Sequence, residues 1–440
     1  MARSRRDAAH GAVLGALVGD AAGAVLEFLG HVPTERDVAR ALAFPGGGCW
    51  RVGPGQITDD GELTICLLRG LVEGAGDHDR NAVARWYGRW YLSPPFDIGG
   101  TTATALGVVS GAEGLRNGVA ARMATAAQAS MGSKANGSLM RSTPLAVFAN
   151  VASDDEIFAL ARDDSSLTHP NRSCVDAVAL YCGAIAHLVN HPGDEAGALA
   201  RARRMAASAE EEVRGWLALA DAGEHVPAEP MMGFVKIAFA HAFRLLGEGA
   251  TFERAIAETL ALGGDTDTNA CIVGGLVGAA VGASGIPEAW RAAVLERDPA
   301  VGRPRPEFLW TAEVPELVDA LLAARPLAPT VWHVCRRAEW EAGGEYVGSS
   351  QDVADGFIHC STTAQVRESV AKHRAGQDGL VALEIDARAV GAGLRWEESR
   401  RGALFPHIYG ALPREAVVAA HPLPLGEDGR HHFPEAVPGG

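Results

Sequence analysis

The chain lacks the cysteine patterns that hold small domains together. It has seven cysteines in 440 residues, an odd number, scattered and without a CxxC pair. This arrangement argues against a disulfide framework and against a zinc ribbon, and it is typical of proteins from a reducing compartment. We therefore expect a cytoplasmic protein whose cysteines are mostly small buried hydrophobic side chains.

Basic residues and long apolar runs are also scarce. There are 39 Lys and Arg against 54 Asp and Glu, a net charge of −15, whereas nucleic-acid-binding proteins usually carry a basic face. The apolar run at 270–283 is shorter than a bilayer requires, and the run near the N-terminus stops at Asp20. We expect neither a nucleic acid nor a membrane as a partner.

Helical patterning, in contrast, extends over most of the chain. A length of 440 residues exceeds one ordinary core and predicts at least two domains. We predict that one large all-α domain occupies residues 1–325. Apolar residues recur there at three- and four-residue spacing in the segments 8–29, 60–74, 79–92, 101–113, 119–129, 138–149, 154–162, 173–190, 196–219, 231–247, 251–262, 268–283 and 314–323.

The pattern changes after a Pro-containing linker at 326–330. Beyond this linker, helical segments alternate with extended ones, which predicts a separate small α+β domain over residues 331–425. The final residues, 426–440, are polar and rich in Pro and Gly, and we expect a flexible tail. The extended runs of the small domain are 330–334, 356–360, 379–386 and 416–423.

Three separated segments of the helical domain contain more acidic residues than helix capping requires. GDAAGAVLE (19–27), TDDGE (58–62) and GGDTDT (263–268) each place carboxylates on or directly before an apolar helical stretch. Asp and Thr often cap helix N-termini, but one such residue is enough for a cap. Independent capping of each helix stays open as the alternative to a shared functional site.

The first of these segments belongs to a helix with a glycine at every fourth position. Removing side chains from one stripe of a helix allows a second helix to approach closely. Offsets of three and seven residues place Asp20, Gly23 and Glu27 on one helix face. Burying such carboxylates in apolar surroundings is costly unless cations compensate them. The glycines of the stripe are Gly11, Gly15, Gly19 and Gly23.

Oxygen-rich segments without nearby histidine or cysteine describe a site for a hard cation. Carboxylate and hydroxyl oxygens are the ligands that Mg²⁺ and Mn²⁺ prefer. One ion would not need all the carboxylates present, so two ions that share a bridging carboxylate are the economical interpretation. The carboxylates concerned are Glu27, Asp59, Asp60, Asp265 and Asp267.

Six motifs follow one another along the helical domain, namely GALVGDAAGAVLEF, ITDDGELT, FDIGGTTATAL, NGSLMRSTPLAV, SLTHPN and GGDTDTNACIVGGLVGAAVG. In this order, over residues 8–323, they resemble the ADP-ribosylglycohydrolase family, the enzymes related to dinitrogenase reductase-activating glycohydrolase. The resemblance implies an all-α fold with a binuclear Mg²⁺ or Mn²⁺ centre. It also implies a hydrolase that removes ADP-ribose from a modified protein side chain or small molecule by cleaving the bond at the distal ribose C1.

The resemblance assigns roles to individual residues. The implied metal ligands, with Asp267 as the bridge, are Thr58, Asp59, Asp60, Asp265, Asp267 and Thr268. The implied catalytic acids are Glu27, Asp60 and Asp97, with a metal ligand or a gate over the metals as alternative roles for Glu27. The implied substrate-binding residues are Asn136, Gly137, Ser138 and His169. An Asx turn at Asp97, a helix cap at residues 136–138 and a structural His169 remain alternatives. Glu62 and Asn269 depart from the pattern of some relatives, which leaves the acceptor open.

The small domain carries a second set of motifs, VWHV, GEYVGSS, GFIHCST and FPHIYGAL. These resemble a bacterial family of uncharacterised domains, domain of unknown function 952, and more distantly the ADP-ribosyltransferase fold. The resemblance implies a cleft that binds or processes NAD or ADP-ribose. The alternative is a core stabilised by buried, hydrogen-bonded histidines. The candidate residues are His333, His359, Ser361, Glu398 and His407.

Two other functions of the helical domain stay open. A catalytically silent ADP-ribose-binding protein could share the fold, and a different two-metal hydrolase could act on a phosphate ester. The complete set of implied ligands favours the hydrolase, because a silent binder has little use for two metals.

Overall fold

The computed structural model describes residues 3–399, 403–426, 428–434 and 437, with the side chains of Ala392 and Glu398 outside the described part. The chain divides into two compact units, Met1–Leu321 and Leu322–Gly440. As predicted, a large helical unit precedes a small α+β unit. The division falls inside the last helix of the helical part, slightly before the predicted boundary at residue 325.

The first unit is built from α-helices joined by turns and short 3-10 segments. These helices are α1 (Arg5–Gly23), α2 (Glu35–Ala41), α3 (Asp59–Glu73), α4 (Arg80–Leu92), α5 (Gly100–Leu106), α6 (Val119–Ala127), α7 (Thr143–Phe148), α8 (Asp154–Ser165), α9 (Arg172–Asn190), α10 (Glu195–Ala206), α11 (Glu211–Asp221), α12 (Val235–Gly247), α13 (Phe252–Ala261), α14 (Thr266–Val281), α15 (Glu288–Leu295) and α16 (Val314–Ala324). Among the described helices, α9 has the length and apolar composition to cross a membrane, but 89% of its most apolar window is buried inside the protein.

Helices α1 and α14 form the centre of the first unit, and nearly all their residues are buried. Their backbones touch along the glycine stripe. A Cβ added at Gly15 would lie 2.2 Å from the Gly274 carbonyl oxygen, and one added at Gly19 would lie 2.0 Å from that of Ala270. The predicted close approach of a second helix is therefore confirmed, and it brings the acidic end of α1 beside the acidic start of α14.

Several predicted helix boundaries were wrong because the turns beside these helices are as buried as the helices themselves. The first helix ends at Gly23, so Glu27 lies in the following turn and not on the helix face. Val25 and Leu26 are buried as well, so the apolar pattern continues beyond the helix. In the same way, the helix predicted from residue 138 begins only at Thr143, after a buried turn.

Two further errors concern the number of helices. The segment 196–219 forms two helices, α10 and α11, and the short helices α2 and α15 were not predicted. Most residues of α2 are not buried, so it shows no apolar period. The sequence signal that could have indicated α2 is its capping box, in which the side chains of Thr34 and Asp37 each accept a hydrogen bond from the other's backbone N–H.

The described residues of the second unit form short helices and two antiparallel sheets. The helices are α17 (Arg337–Glu341), α18 (Ser350–Asp355), α19 (Val366–His373) and α20 (Ala387–Val390). The strands are β1 (Thr330–Arg336), β2 (Ile358–His359), β3 (Ser361–Thr362), β4 (Leu380–Asp386), β5 (Leu394–Glu398), β6 (Leu404–Ile408) and β7 (Val417–Leu423). One sheet has the strand order β3-β1-β4-β7 and the other β2-β6-β5.

Both faces of the four-stranded sheet are covered. Val381 and Leu383 of β4 belong to one apolar cluster, and Leu380 and Ala382 belong to the other. Successive side chains of a strand point to opposite faces, so a strand covered on both sides is apolar throughout. This explains the continuous apolar run from which β4 was predicted. Val437, in the predicted tail, is buried in the second of these clusters.

Strands β5 and β6 were not predicted. β6 lies in the middle of its sheet and contains Pro406, which has no backbone N–H for the strand ladder. A proline argues against a central strand, so the sequence pattern argued against a strand that the structure contains. The Pro406 carbonyl still accepts a hydrogen bond from the Cys360 N–H at 2.9 Å.

Candidate functional site

The acidic segments of the first unit meet at a cavity of about 680 Å³. Turns after α1, the start of α3, the loop before α5, the chain around residue 136 and the start of α14 form its wall. Thr58, Asp60 and Ser138 do not line it. Most predicted site residues do, namely Glu27, Asp59, Asp97, Asn136, Gly137, His169, Asp265, Asp267 and Thr268.

The acidic residues at the starts of α3 and α14 are not ordinary caps. Thr58 and Asp265 occupy the N-cap positions of these helices, and neither side chain accepts a capping hydrogen bond from its helix. Other helices of the unit do have such caps, as at Ser153 of α8. Independent capping therefore does not explain the acidic segments.

The start of α3 is instead held by Asp20 from α1. The Asp20 carboxylate accepts hydrogen bonds from the Thr58 hydroxyl at 2.7 Å, the Thr58 N–H at 3.0 Å and the Gly61 N–H at 2.8 Å. The sequence placed Asp20 on the glycine-rich helix but gave it no role, because its partners lie on another helix. Asp20 is thus a positioning residue for the TDDGE segment.

Two groups of carboxylates converge within the site. In each group, the ligand oxygens all lie within 4.8 Å of one another. One group consists of Asp20, Asp60 and Asp267, and the other consists of Glu27, Asp265 and Asp267. Asp267 is common to both, which is the arrangement expected of a residue between two cation sites.

The carboxylates are in an unfavourable environment for negative charge. Burial, followed by repulsion from neighbouring carboxylates, raises the pKa of Asp59, Asp60 and Asp267 well above the ordinary value. The same causes raise the pKa of Asp97 to about 8. One oxygen of Asp60, Oδ1, is buried without a hydrogen-bond partner. Cations would remove the repulsion and use this oxygen, so the residues present fit a divalent metal site.

Glu27 is held at the cavity by an aromatic neighbour, Trp50, that the sequence did not indicate. The Trp50 indole N–H donates a hydrogen bond to Glu27 Oε2. Phe28 follows with a positive φ of 54° and an exposure of 58%, so its ring stands at the cavity wall in solvent. Phe28, Trp50 and Met231 therefore give the cavity an apolar margin.

The loop around residue 136 is organised differently from the predicted helix start. The Asn136 side-chain amide donates to Asp265 Oδ2 at 2.7 Å, so Asn136 holds an acid of the site. A Cβ added at Gly137 would lie 2.7 Å from His169 Cε1, which explains the glycine. Ser138 is buried, and its hydroxyl has no hydrogen-bond partner.

His169 is a buried neutral side chain at the cavity wall. Its Nδ1 lies 2.8 Å from Thr168 Oγ1, and burial lowers its pKa to about 3. The imidazole therefore lines the cavity as a hydrogen-bonding group without a positive charge.

Glu62, which departs from the pattern of some relatives, has a structural role as the partner of Arg305 and Trp90. Its carboxylate accepts hydrogen bonds from Arg305 at 2.7 and 2.9 Å and from the Trp90 indole at 2.6 Å. Arg305 also donates to the carbonyls of Ser93 and Pro94, at 2.6 and 3.0 Å. These contacts fix the loop that carries Asp97 to the cavity.

The second unit has a cavity of its own, of about 470 Å³. The side chain of Glu398 lies outside the described residues. The other predicted candidates all line this cavity, namely His333, His359, Ser361 and His407.

Comparisons with known proteins agree with this architecture. Residues 1–330 match the family described as ADP-ribosylglycohydrolase, and residues 334–420 match the one described as protein of unknown function (DUF952). The ADP-ribosyl-[dinitrogen reductase] glycohydrolase of Rhodospirillum rubrum is 32% identical over 331 residues, which cover 73% of this chain and 97% of the relative.

Two further proteins are similar over the same part. The ADP-ribosylarginine hydrolase Tri1 of Pseudomonas putida (strain GB-1) is 30% identical over 295 residues, covering 64% of this chain and 73% of the relative. A chain of a solved ADP-ribosylglycohydrolase-related protein complex is 26% identical, with a TM-score of 0.55 over 72% of this chain and 98% of that chain. The resemblance found in the motifs is confirmed, and the chain belongs to the ADP-ribosylglycohydrolase family.

Proposed function

We propose that the first unit is a metal-dependent hydrolase that releases ADP-ribose from a modified protein side chain or small molecule by cleaving the bond at the distal ribose C1. One observation carries the proposal: Asp267, which lines the cavity, belongs to two groups of converging carboxylates. Relatives named as ADP-ribosyl glycohydrolases and ADP-ribosylarginine hydrolases support it. Because of those names, an ADP-ribosylated arginine is the first acceptor to test.

The proposed cofactors are two Mg²⁺ or Mn²⁺ ions. The residues that would hold them are Thr58, Asp59, Asp60, Asp265, Asp267 and Thr268. Divalent ions of this kind supply Lewis-acid chemistry by polarising the oxygen groups that coordinate them. The oxygens of Asp20 already accept hydrogen bonds from Thr58 and Gly61, so we assign Asp20 to orienting the ligands.

The remaining cavity residues have proposed roles around the substrate. Glu27 and Asp97 face the cavity, so they are placed to move protons during hydrolysis. Asp60 lies behind the wall, which favours a ligand role over direct proton transfer. Asn136 holds Asp265 in place, while Gly137 and His169 form the surface against which the ribose and diphosphate would lie.

A panel of ADP-ribosylated acceptors tests the proposal. The full chain is incubated with acceptors modified on arginine, serine, a nucleobase or a small metabolite, with Mg²⁺, Mn²⁺ or EDTA, and free ADP-ribose is measured. Metal-dependent release from one acceptor class supports the proposal and identifies the acceptor. Saturable binding of ADP-ribose without release from any acceptor would favour a silent binder.

We also propose that the second unit binds NAD or ADP-ribose in its own cavity. The observation that favours this is the convergence of four predicted residues on one cavity of about 470 Å³, a size within the range of small-molecule sites. Calorimetric titration of the full chain tests it. We expect a binding site for ADP-ribose that His407→Gln weakens and that Asp267→Ala leaves in place. Titrations in which His407→Gln changes nothing would contradict it.

A further inference from the structure

Two histidines of the second unit each have one ring nitrogen fixed by a carboxylate. His359 Nδ1 lies 2.7 Å from Asp352 Oδ1, and His407 Nδ1 lies 2.6 Å from Glu397 Oε2. A carboxylate in this position keeps the proton on Nδ1 and orients the ring. The other nitrogen, Nε2, is then the one available for proton transfer.

Both carboxylates are themselves held. Asp352 accepts hydrogen bonds from the His359 N–H at 2.9 Å and from the N–H and hydroxyl of Ser349 at 2.7 and 2.6 Å. Glu397 accepts one from the Tyr409 hydroxyl at 3.0 Å. These contacts fix the position of both carboxylates, so each histidine has a partner that holds the orientation of its ring.

His333 differs from these two histidines. Its Nδ1 lies 2.7 Å from the His359 carbonyl oxygen, and its Nε2 lies 2.8 Å from the Tyr346 hydroxyl. Both ring nitrogens are therefore used inside the protein. His333 fits the structural alternative, a buried and fully hydrogen-bonded histidine, and it holds the backbone that presents His359.

The backbone register fixes the distance between the two oriented rings. His359 on β2 and His407 on β6 are directly opposite partners in an antiparallel pair, so their side chains project from the same face. Their ring centroids are 5.5 Å apart at an interplanar angle of 74°, and both line the cavity. Phe357 stacks on the His407 ring at 4.2 Å and restricts its rotation.

The two histidines have different electrostatic surroundings. His359 Nε2 is 3.5 Å from Asp355 Oδ2, so both ring nitrogens of His359 lie near carboxylates, those of Asp352 and Asp355. His407 is more buried, and burial lowers its pKa from the ordinary value. The two rings therefore differ in their neighbours and in burial, and this difference distinguishes them as acid and base in the mechanism below.

The rest of the cavity wall favours a phosphoryl group beside the two rings. The guanidinium of Arg374 and the hydroxyls of Ser361 and Ser369 can contact anionic oxygens. Trp332 and Phe405 supply an apolar surface of the kind a nucleobase contacts. Among the described residues of this cavity, no three His, Cys, Asp or Glu ligand atoms converge as a metal site requires.

We propose that the second-unit cavity hydrolyses a phosphate ester or phosphoanhydride of nucleotide size, with His407 as general base and His359 as general acid. His407 Nε2 takes a proton from water as the water oxygen bonds to phosphorus. The bond from phosphorus to the leaving oxygen breaks, that oxygen keeps the electron pair, and it receives the proton from His359 Nε2. Solvent water then returns the proton from His407 to His359. The activity is independent of the glycohydrolase proposed for the first unit.

The test uses the full chain with EDTA and three probes. These are bis(p-nitrophenyl) phosphate and 2′,3′-cyclic AMP as diesters, and ADP-ribose as an anhydride. We expect turnover of one probe class, with kcat reduced about 100-fold or more by His359→Gln and by His407→Gln. Glu397→Gln, which affects a positioning residue, should lower kcat and leave KM nearly unchanged.

The matched control is His421→Gln. His421 also pairs with a carboxylate, Glu384 at 2.8 Å, but it does not line the cavity. This variant should keep full turnover, and thermal melts of all variants establish that they are folded. Failure of the wild type to turn over any probe would overturn the proposal. So would turnover that survives both histidine substitutions, or turnover that Asp267→Ala abolishes, since that residue belongs to the other cavity.

Discussion

Asp20 on α1 and Thr58 before α3 are joined through both backbone and side chain. The Thr58 N–H lies 3.0 Å from each Asp20 carboxylate oxygen, and the Thr58 hydroxyl lies 2.7 Å from Oδ1. The acid that fixes the start of α3 thus comes from a different helix. The residues directly after Thr58 are free to direct their carboxylates toward the site.

Replacing Asp20 with Asn should weaken metal binding without unfolding the protein. The amide keeps one acceptor oxygen, but it cannot satisfy the three donors of Thr58 and Gly61 together. Loss of such an orienting partner reduces metal affinity by about 10- to 100-fold in other sites. Titration with Mn²⁺, followed by calorimetry, measures the affinity.

Asp7→Asn is the control for this substitution. Asp7 is on the same helix and likewise accepts hydrogen bonds from a segment on another part of the fold, the N–H and hydroxyl of Ser284 at 2.9 and 2.7 Å. It is not among the cavity residues, so Asp7→Asn should leave Mn²⁺ affinity unchanged. Equal losses in the two variants would show that Asp20 acts through general stability.

Gly19→Ala should destabilise the first unit. The added methyl group would lie 2.0 Å from the Ala270 carbonyl oxygen. Its nearest neighbours are backbone atoms of the buried helix α14, which cannot move aside as a flexible side chain could. Overpacking of this kind reduces the free energy of unfolding by about 1–3 kcal/mol or more. Gly215→Ala is the matched control, because its Cβ would meet nothing within 4 Å. Urea unfolding should show loss for Gly19→Ala and a small gain for Gly215→Ala.

The metal-free protein should become more stable as the pH falls. Burial raises the pKa of Asp20 to about 7 and that of Asp97 to about 8, whereas the unfolded chain has an ordinary value of about 4. A raised folded pKa means that the folded state binds more protons, so stability falls as the pH rises through this window.

Thermal melts between about pH 5 and pH 8 test this dependence, because stability changes most in the interval up to the raised pKa values. With EDTA, the melting temperature should be highest at the acidic end. With Mg²⁺ or Mn²⁺ it should rise most at the alkaline end, because the ions replace protons on the carboxylates. A metal-free protein that is most stable at the alkaline end would contradict the interpretation.

Arg305→Met should be strongly destabilising, because it leaves the buried carboxylate of Glu62 without its cation. Removing one partner of a buried ion pair typically costs about 3–5 kcal/mol. The double variant Glu62→Gln with Arg305→Met should recover part of this loss. A double-mutant cycle in urea measures the coupling, and a coupling near zero would mean that the pair does not stabilise the fold.

The helical architecture and most of the site could be predicted from the sequence. The glycine stripe predicted the close contact of α1 with a second helix, and the excess acid at 58–60 and 265–267 predicted the carboxylate groups. These features are local patterns, with helical spacing or adjacent residues. Such patterns can be recognised within a segment of a few helical turns.

The sequence could not supply contacts between distant segments or the ends of elements inside the core. The role of Asp20 depends on Thr58, which lies at the start of another helix. The end of α1 is hidden because the turn after it is as buried as the helix. β6 was missed because Pro406 contradicts its place in the middle of a sheet. None of these features produces a periodic pattern in the sequence.

The rate of ADP-ribose release from an ADP-ribosylated arginine substrate tests whether Asp267 joins two cation sites at one cavity. We expect wild-type turnover to stop with EDTA and to return with Mn²⁺. Asp267→Ala should show no turnover at any Mn²⁺ concentration, while its circular dichroism remains helical. Full turnover by the wild type in EDTA, or by Asp267→Ala, would contradict the two-cation assignment.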